Sequence, residues 1–319
     1  MKGLVISGGG ADGPHTLGVL EGLGNPKYDY ANGVSTGALQ VMMYQMGMQK
    51  ELLQSYMVFN KDIYNKSCLN KKGSFSPIKL LARGFIALLT GKKSIGEHYN
   101  LKKRIDSRLT DEVLNNANLL GVKTEVGVHF DEDGCVRWIS NKTATNEEYR
   151  YAVWASTAVP LIMSCPEIEG QTVSDGGISE GVGLAQAVKS GCTEIDVFMH
   201  SAKTTKFYEA VKYYGLEDCK KDHVYHKPSY DRRYGKITNI IKKVFTIFFG
   251  VYVDSDLSSL LLGLFIAKEK GCKVTIHWMP REYYKNAFTF SKKKSEKLYN
   301  FGKLYAKHIT YKDVYDYGK

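Results

Sequence analysis

No stretch of this chain is long and uncharged enough to span a bilayer. Its most apolar region, Val244 to Ala267, is interrupted by Asp254 and Asp256, whereas a transmembrane helix needs roughly 18 apolar residues in succession. A signal-peptide core is missing too. Met1-Lys2-Gly3-Leu4-Val5-Ile6-Ser7 offers three consecutive apolar residues before a run of glycines, against the roughly 7–15 such a core needs, and it reads as a first strand. There is no internal repeat and no low-complexity tract. The six cysteines, Cys68, Cys135, Cys165, Cys192, Cys219 and Cys272, show no CxxC spacing, which argues against a zinc site or disulfide framework and suits reduced thiols in a cytosol. No nucleic-acid-binding motif accompanies the basic residues. These absences predict a soluble cytoplasmic protein without a Sec signal peptide, a metal, a cofactor or a nucleic-acid partner; delivery into another cell by a non-Sec route stays open.

What is present suits a globular enzyme. The 319 residues, 43% hydrophobic and 24% charged, can bury a substantial core as one large domain or a domain with a cap. The net charge of +11 is unevenly placed: residues 1–200 hold 20 Lys+Arg against 21 Asp+Glu, and residues 201–319 hold 24 against 12. Such asymmetry points to an anionic partner. In Lys236 to Phe249 and in Ile78 to Leu89 apolar residues recur at near-helical spacing beside lysines or arginine, the pattern of an interfacial helix and equally of a core helix with a solvated edge. An anionic membrane surface is the partner these residues favour.

Alternation of apolar strands and helical periodicities predicts an α/β fold, a three-layer α/β/α arrangement around a mainly parallel central sheet. Strands are expected at Gly3 to Ser7, Tyr28 to Val34, Thr124 to Phe130, Val136 to Ser140, Ile195 to His200 and Lys273 to Met279. Helices are expected from Thr16, over Ala38 to Tyr56 as one long element, and over Ser291 to Ala306. Residues 60–76 read as a loop, and 203–234 as a lid or excursion without a clear period.

Three glycine-rich turns carry the chemistry: Gly8-Gly9-Gly10-Ala11-Asp12-Gly13, Gly33-Val34-Ser35-Thr36-Gly37 and Asp175-Gly176-Gly177. Glycines flanking Ser35 remove the side chains that would collide where a strand turns sharply into a helix, so the hydroxyl is presented at a helix N-terminus whose dipole favours negative charge. Ser35 follows only one or two strands, unlike the nucleophile of a triad hydrolase. The downstream histidines, among them His200 and His277, sit in no catalytic context. The candidate base is therefore Asp175, on a turn whose glycines allow a sharp bend.

With these motifs the chain resembles the patatin-like phospholipases. That family has a GGGxxG oxyanion loop after its first strand, a GxSxG elbow, and a DGG or DGA turn more than a hundred residues later; Ala155-Ser156-Thr157-Ala158-Val159-Pro160 also looks like its Ala-Ser-x-Ala-x-Pro segment. The resemblance covers residues 1–200, and 201–319 would complete the domain as a basic, aromatic part serving as lid or membrane contact. It implies metal-independent hydrolysis of phospholipid or other acyl-lipid esters, of phospholipase A or lysophospholipase type. Ser35 would be the nucleophile and Asp175 the general base, in a dyad. Gly8, Gly9, Gly10 and Ala11 would form the oxyanion hole, with Gly13, Gly33, Gly37, Gly176 and Gly177 as supporting glycines. An activator or a homo-oligomer would fit the need to restrain such an enzyme.

Two departures stand out. Asp12 occupies a position where the family usually carries Arg or Lys, setting a negative charge beside an anion-stabilising loop. Glu180-Gly181-Val182-Gly183 stands where Asn and Pro are common. Two rival readings follow: a membrane-binding or signalling protein of the same fold whose site has decayed, and a dinucleotide-binding protein using Gly8-x-Gly10-x-x-Gly13 with Asp29 as ribose partner.

Overall fold

The computed structural model describes residues 1–57, 98–160, 162–216, 254–280, 290–306 and 312–318. The two basic apolar stretches, 236–249 and 78–89, the polar segment 60–76 and the later part of 203–234 lie outside these residues.

Among the described residues nine strands form one sheet: β1 (Lys2–Ile6), β2 (Tyr30–Val34), β3 (Lys123–Phe130), β4 (Cys135–Ser140), β5 (Glu167–Ile168), β6 (Gln171–Asp175), β7 (Glu194–Met199), β8 (Lys273–Trp278) and β9 (Lys312–Asp316). The order is β5-β6-β3-β2-β1-β7-β8-β9, with β4 also paired to β3. The five central strands, β3-β2-β1-β7-β8, are mutually parallel, and antiparallel strands flank them on both sides. Strands β8 and β9 thus extend the same sheet that begins at Lys2.

Side-chain alternation divides the core into two faces. Leu4 and Ile6 of β1 pack with Val41 and Leu20 on one face, and Val5 packs with Val197 and Leu264 on the other. The first face is covered by helix α1 (Pro14–Gly22), helix α2 (Thr36–Gln45) and the helix Asn146–Ala155; the second by Leu184–Lys189, Thr205–Tyr213 and a helix over residues 254–269. This is a three-layer α/β/α fold.

Four features differ from the sequence reading. The expected long helix over Ala38 to Tyr56 is two helices, α2 and α3 (Gln49–Tyr56). Gly47 separates them at φ +72°, a conformation glycine adopts at little cost, and the Met48 N–H closes the end of α2 on the Met43 carbonyl. Residues 205–213, read as aperiodic, form a helix capped by the Thr204 hydroxyl. Strand β9 and the short pair β5–β6 escaped the sequence reading because strands this short and polar carry little alternation signal. So did the helices Tyr99–Arg108, Asp111–Leu119 and Asn146–Ala155, whose polar composition hides a narrow buried stripe.

Candidate active site

Parallel strands bring their carboxyl ends to one rim of the sheet, where crevices form in such folds. The glycine loop leaves β1 there and the serine elbow leaves β2 beside it. Register explains how a distant aspartate joins them. From Glu125↔Ser140 to Phe130↔Cys135, β3 gives one edge to β4. Its other edge is shared: β2 runs parallel as far as Val34↔Gly127, and β6 comes from the opposite direction and ends at Asp175↔Val128. The carboxyl ends of β2 and β6 therefore meet head-on at adjacent rungs, which sets Ser35 and Asp175 side by side although 140 residues separate them in the chain.

The elbow is tight. Ser35 has φ +55° and ψ −118°, a conformation rarely adopted by a residue with a side chain and costing on the order of 1–3 kcal/mol. The flanking glycines are required by space: a Cβ on Gly37 would lie 2.2 Å from the Ile6 carbonyl oxygen, and one on Gly33 would lie 2.4 Å from the Gly37 carbonyl carbon. The Ser35 N–H donates to Ser156 Oγ at 2.9 Å, and the Ser156 hydroxyl donates to the Gly127 carbonyl at 2.6 Å. Two residues on, the Ala158 carbonyl accepts the Asp175 N–H at 3.0 Å. The Ala-Ser-x-Ala segment thus ties the serine elbow, the aspartate turn and β3 together, a link its sequence did not reveal.

Asp175 is 1% exposed, and its Oδ1 accepts the Gly177 N–H at 2.8 Å. Burial pushes its carboxyl up to about 7, against the Ser35 hydroxyl and the Gly177 N–H, which favour the charged form. Its Oδ2 accepts no hydrogen bond among the described residues. A carboxyl in this state can take a proton near neutrality. Asp256, noticed in the sequence only as an interruption of an apolar run, feels that charge: burial and then Asp175 raise it to about 8, opposed by Ser201.

The glycine loop closes into a single turn over Gly10–Asp12, with the Asp12 N–H on the Gly9 carbonyl at 3.2 Å. Gly8 donates to the Gly181 carbonyl at 3.4 Å, so its N–H is engaged with the loop that follows the aspartate turn. The N–H groups of Gly9, Gly10 and Ala11 meet no acceptor among the described residues, as donors awaiting an oxyanion would. His200 supports this loop from below. A Cβ on Gly9 would sit 2.1 Å from His200 Cβ, and the imidazole is bonded at both nitrogens, to the Ser7 carbonyl at 2.9 Å and to Thr16 Oγ1 at 2.8 Å. Burial lowers its pKa to about 4. The neutral ring therefore donates to Ser7 and accepts from Thr16, which leaves it no nitrogen for base catalysis.

The two departures have structural counterparts. Asp12 is fully buried and pairs with Lys294 Nζ at 2.6 Å, so its charge is compensated rather than presented to the loop. In the segment 180–183, the Gly181 N–H donates to Ser255 Oγ and the Val182 N–H to Ser259 Oγ, both at 3.1 Å. The start of the helix over 254–269 therefore holds the chain where proline is absent. Gly13, Gly176 and Gly177 are buried in the turns they form.

Among solved structures, the crystal structure of VipD from Legionella pneumophila is similar, at 17% identity and a TM-score of 0.38, over 67% of this chain and 54% of that one. The chain spans about half of that protein's length, and a likeness this slight carries no argument. Comparison with curated proteins gave no match. A family model described as Patatin-like phospholipase matches residues 4–188, from within β1 to the helix Leu184–Lys189. As that match takes in more than half of the chain, the chain belongs to the patatin-like phospholipase family.

Proposed function

We propose that the protein is a lipid acyl hydrolase of phospholipase A or lysophospholipase type that cleaves fatty-acyl esters of membrane lipids through a Ser35–Asp175 dyad. Ser35 Oγ attacks the ester carbonyl while Asp175 Oδ2 takes the hydroxyl proton. The N–H groups of Gly9, Gly10 and Ala11 receive the oxyanion; in such sites each donor is worth about 10²–10³ in rate. Collapse expels the alcohol, which leaves with the proton from Asp175. Water, deprotonated by the same carboxylate, then attacks acyl-Ser35 and releases the fatty acid. The observation that carries the reading is the end-to-end meeting of β2 and β6 on one edge of β3.

The protein works as a peripheral visitor to anionic membranes in this reading. The excess of basic residues in 201–319 supports it. The helix over 254–269, whose start packs on the segment 180–183, exposes Leu262 and Phe265 by more than half of their surface. No helix among the described residues is long and apolar enough to cross a membrane. The rival reading of a decayed site drew on Asp12, and the Lys294 pair removes that argument.

Mixed phospholipid vesicles incubated with wild type, Ser35→Ala and Asp175→Asn, and analysed by mass spectrometry, test the proposal. Fatty acid and lysophospholipid from wild type alone are expected, and the surviving chain reports the position cut. Equal release by all three, or release by none with vesicle binding intact, would refute the dyad.

A further inference from the structure

The oxyanion loop is not completed by its own neighbours in sequence. Asp12, the last residue of its turn, is a fully buried carboxylate, and among the described residues the cation that meets it is Lys294, at 2.6 Å. Lys294 lies in the first turn of the helix Lys292–Tyr305, where its N–H is bonded to the capping Ser291 hydroxyl. That helix is locked to α1, the helix into which the loop runs. A Cβ on Gly18 would lie 2.0 Å from the Tyr299 carbonyl oxygen, and Tyr299 and Lys303 both bond Glu21. The ammonium therefore approaches from a rigid support, beyond the end of the family match at residue 188. Burial opposes the charge on Asp12, so the carboxylate has a strong reason to follow the Lys294 ammonium.

We propose that Lys294 is a positioning residue of the oxyanion loop: by holding Asp12 it fixes the turn Gly10–Asp12 so that the N–H groups of Gly9, Gly10 and Ala11 face the acyl oxygen. The inference rests on the hydrolase reading. It makes the C-terminal helix part of the catalytic unit, because a loop whose donors are turned by a fraction of an ångström loses stabilisation of the transition state while still admitting substrate.

The 319-residue chain is tested as wild type, Lys294→Met, Lys294→Arg and the doubly neutral Asp12→Asn/Lys294→Met, the last standing in if Lys294→Met, with its stranded carboxylate, fails to fold. Two readouts are combined. Amide hydrogen exchange over residues 8–13 should quicken at least about tenfold in the Met and double variants and stay near wild type in Lys294→Arg, with β7 unchanged in all. Hydrolysis of a soluble p-nitrophenyl ester should lose about 10²–10³ in kcat in the same two variants, with KM within about threefold, and Lys294→Arg should recover most of it. Unchanged loop exchange, or a folded double variant with wild-type kcat, would overturn the proposal and leave the pair a matter of burial alone. If wild type cleaves no ester and Ser35 takes no fluorophosphonate label, it is the hydrolase reading that fails, and exchange alone then decides whether Lys294 clamps the loop.

Discussion

Replacing Asp175 by asparagine keeps the side chain's shape and its bond from the Gly177 N–H while removing a charge that burial opposes. The consequence for stability has a definite sign. Unfolded, the carboxyl ionises near its ordinary 3.8; folded, it ionises near 7. Since the folded value is the higher, the stability contributed by the neutral carboxyl is fully present below pH 3.8 and is lost as the pH rises through 7. At 1.36 kcal/mol per pH unit, that window amounts to about 4 kcal/mol. Unfolding entropy of about 2.1 cal/mol/K per residue converts each kcal/mol into about 1.5 °C for a chain of this length, so the difference approaches about 6 °C. The neutral amide does not suffer this loss. Melting curves of wild type and Asp175→Asn between pH 4 and pH 8.5 should therefore show the variant gaining about 6 °C on wild type as the pH rises, most of it between pH 4 and 7. Activity moves the other way, since the amide cannot accept the serine proton, and about 10²–10⁴ in rate should disappear. A melting difference that does not change with pH would refute the argument, as it would mean that Asp175 ionises alike in both states.

Three further outcomes are expected. Wild-type kcat/KM for an uncharged ester should climb about tenfold per unit up to pH 7 and level off above it, because Asp175 must be ionised to act; a flat profile would exclude it as the base. Ser156→Ala leaves the Ser35 N–H and the Gly127 carbonyl without their partner, which should cost about 1–3 kcal/mol in urea unfolding and lower kcat more than KM is raised; a neutral result would show that the elbow holds its strained φ unaided. Gly37→Ala puts a methyl 2.2 Å from the Ile6 carbonyl, between two strands that cannot part without breaking their ladder, so little folded protein should be recovered; a soluble variant with native circular dichroism would show that the β1–β2 junction yields.

The sequence alone determined the chemistry-bearing turns and the class of fold. Glycine-flanked turns are local devices: what Gly33, Gly37 and Asp175-Gly176-Gly177 permit depends on the few residues around them, and β1, β2, β7 and β8 announce themselves through apolar runs within single segments. The break at Gly47 was also written in the chain, although the apolar run of Met and Leu around it concealed it. Tertiary structure decided everything that depends on distant partners. Nothing near Asp175 says that β6 will run against β3 and stop one rung beyond Val34, since strand pairing is chosen by the whole sheet. Nothing near Asp12 names Lys294, and nothing near Ser35 names Ser156, because burial alone forces a charge or an N–H to find a partner, and only the folded chain offers one.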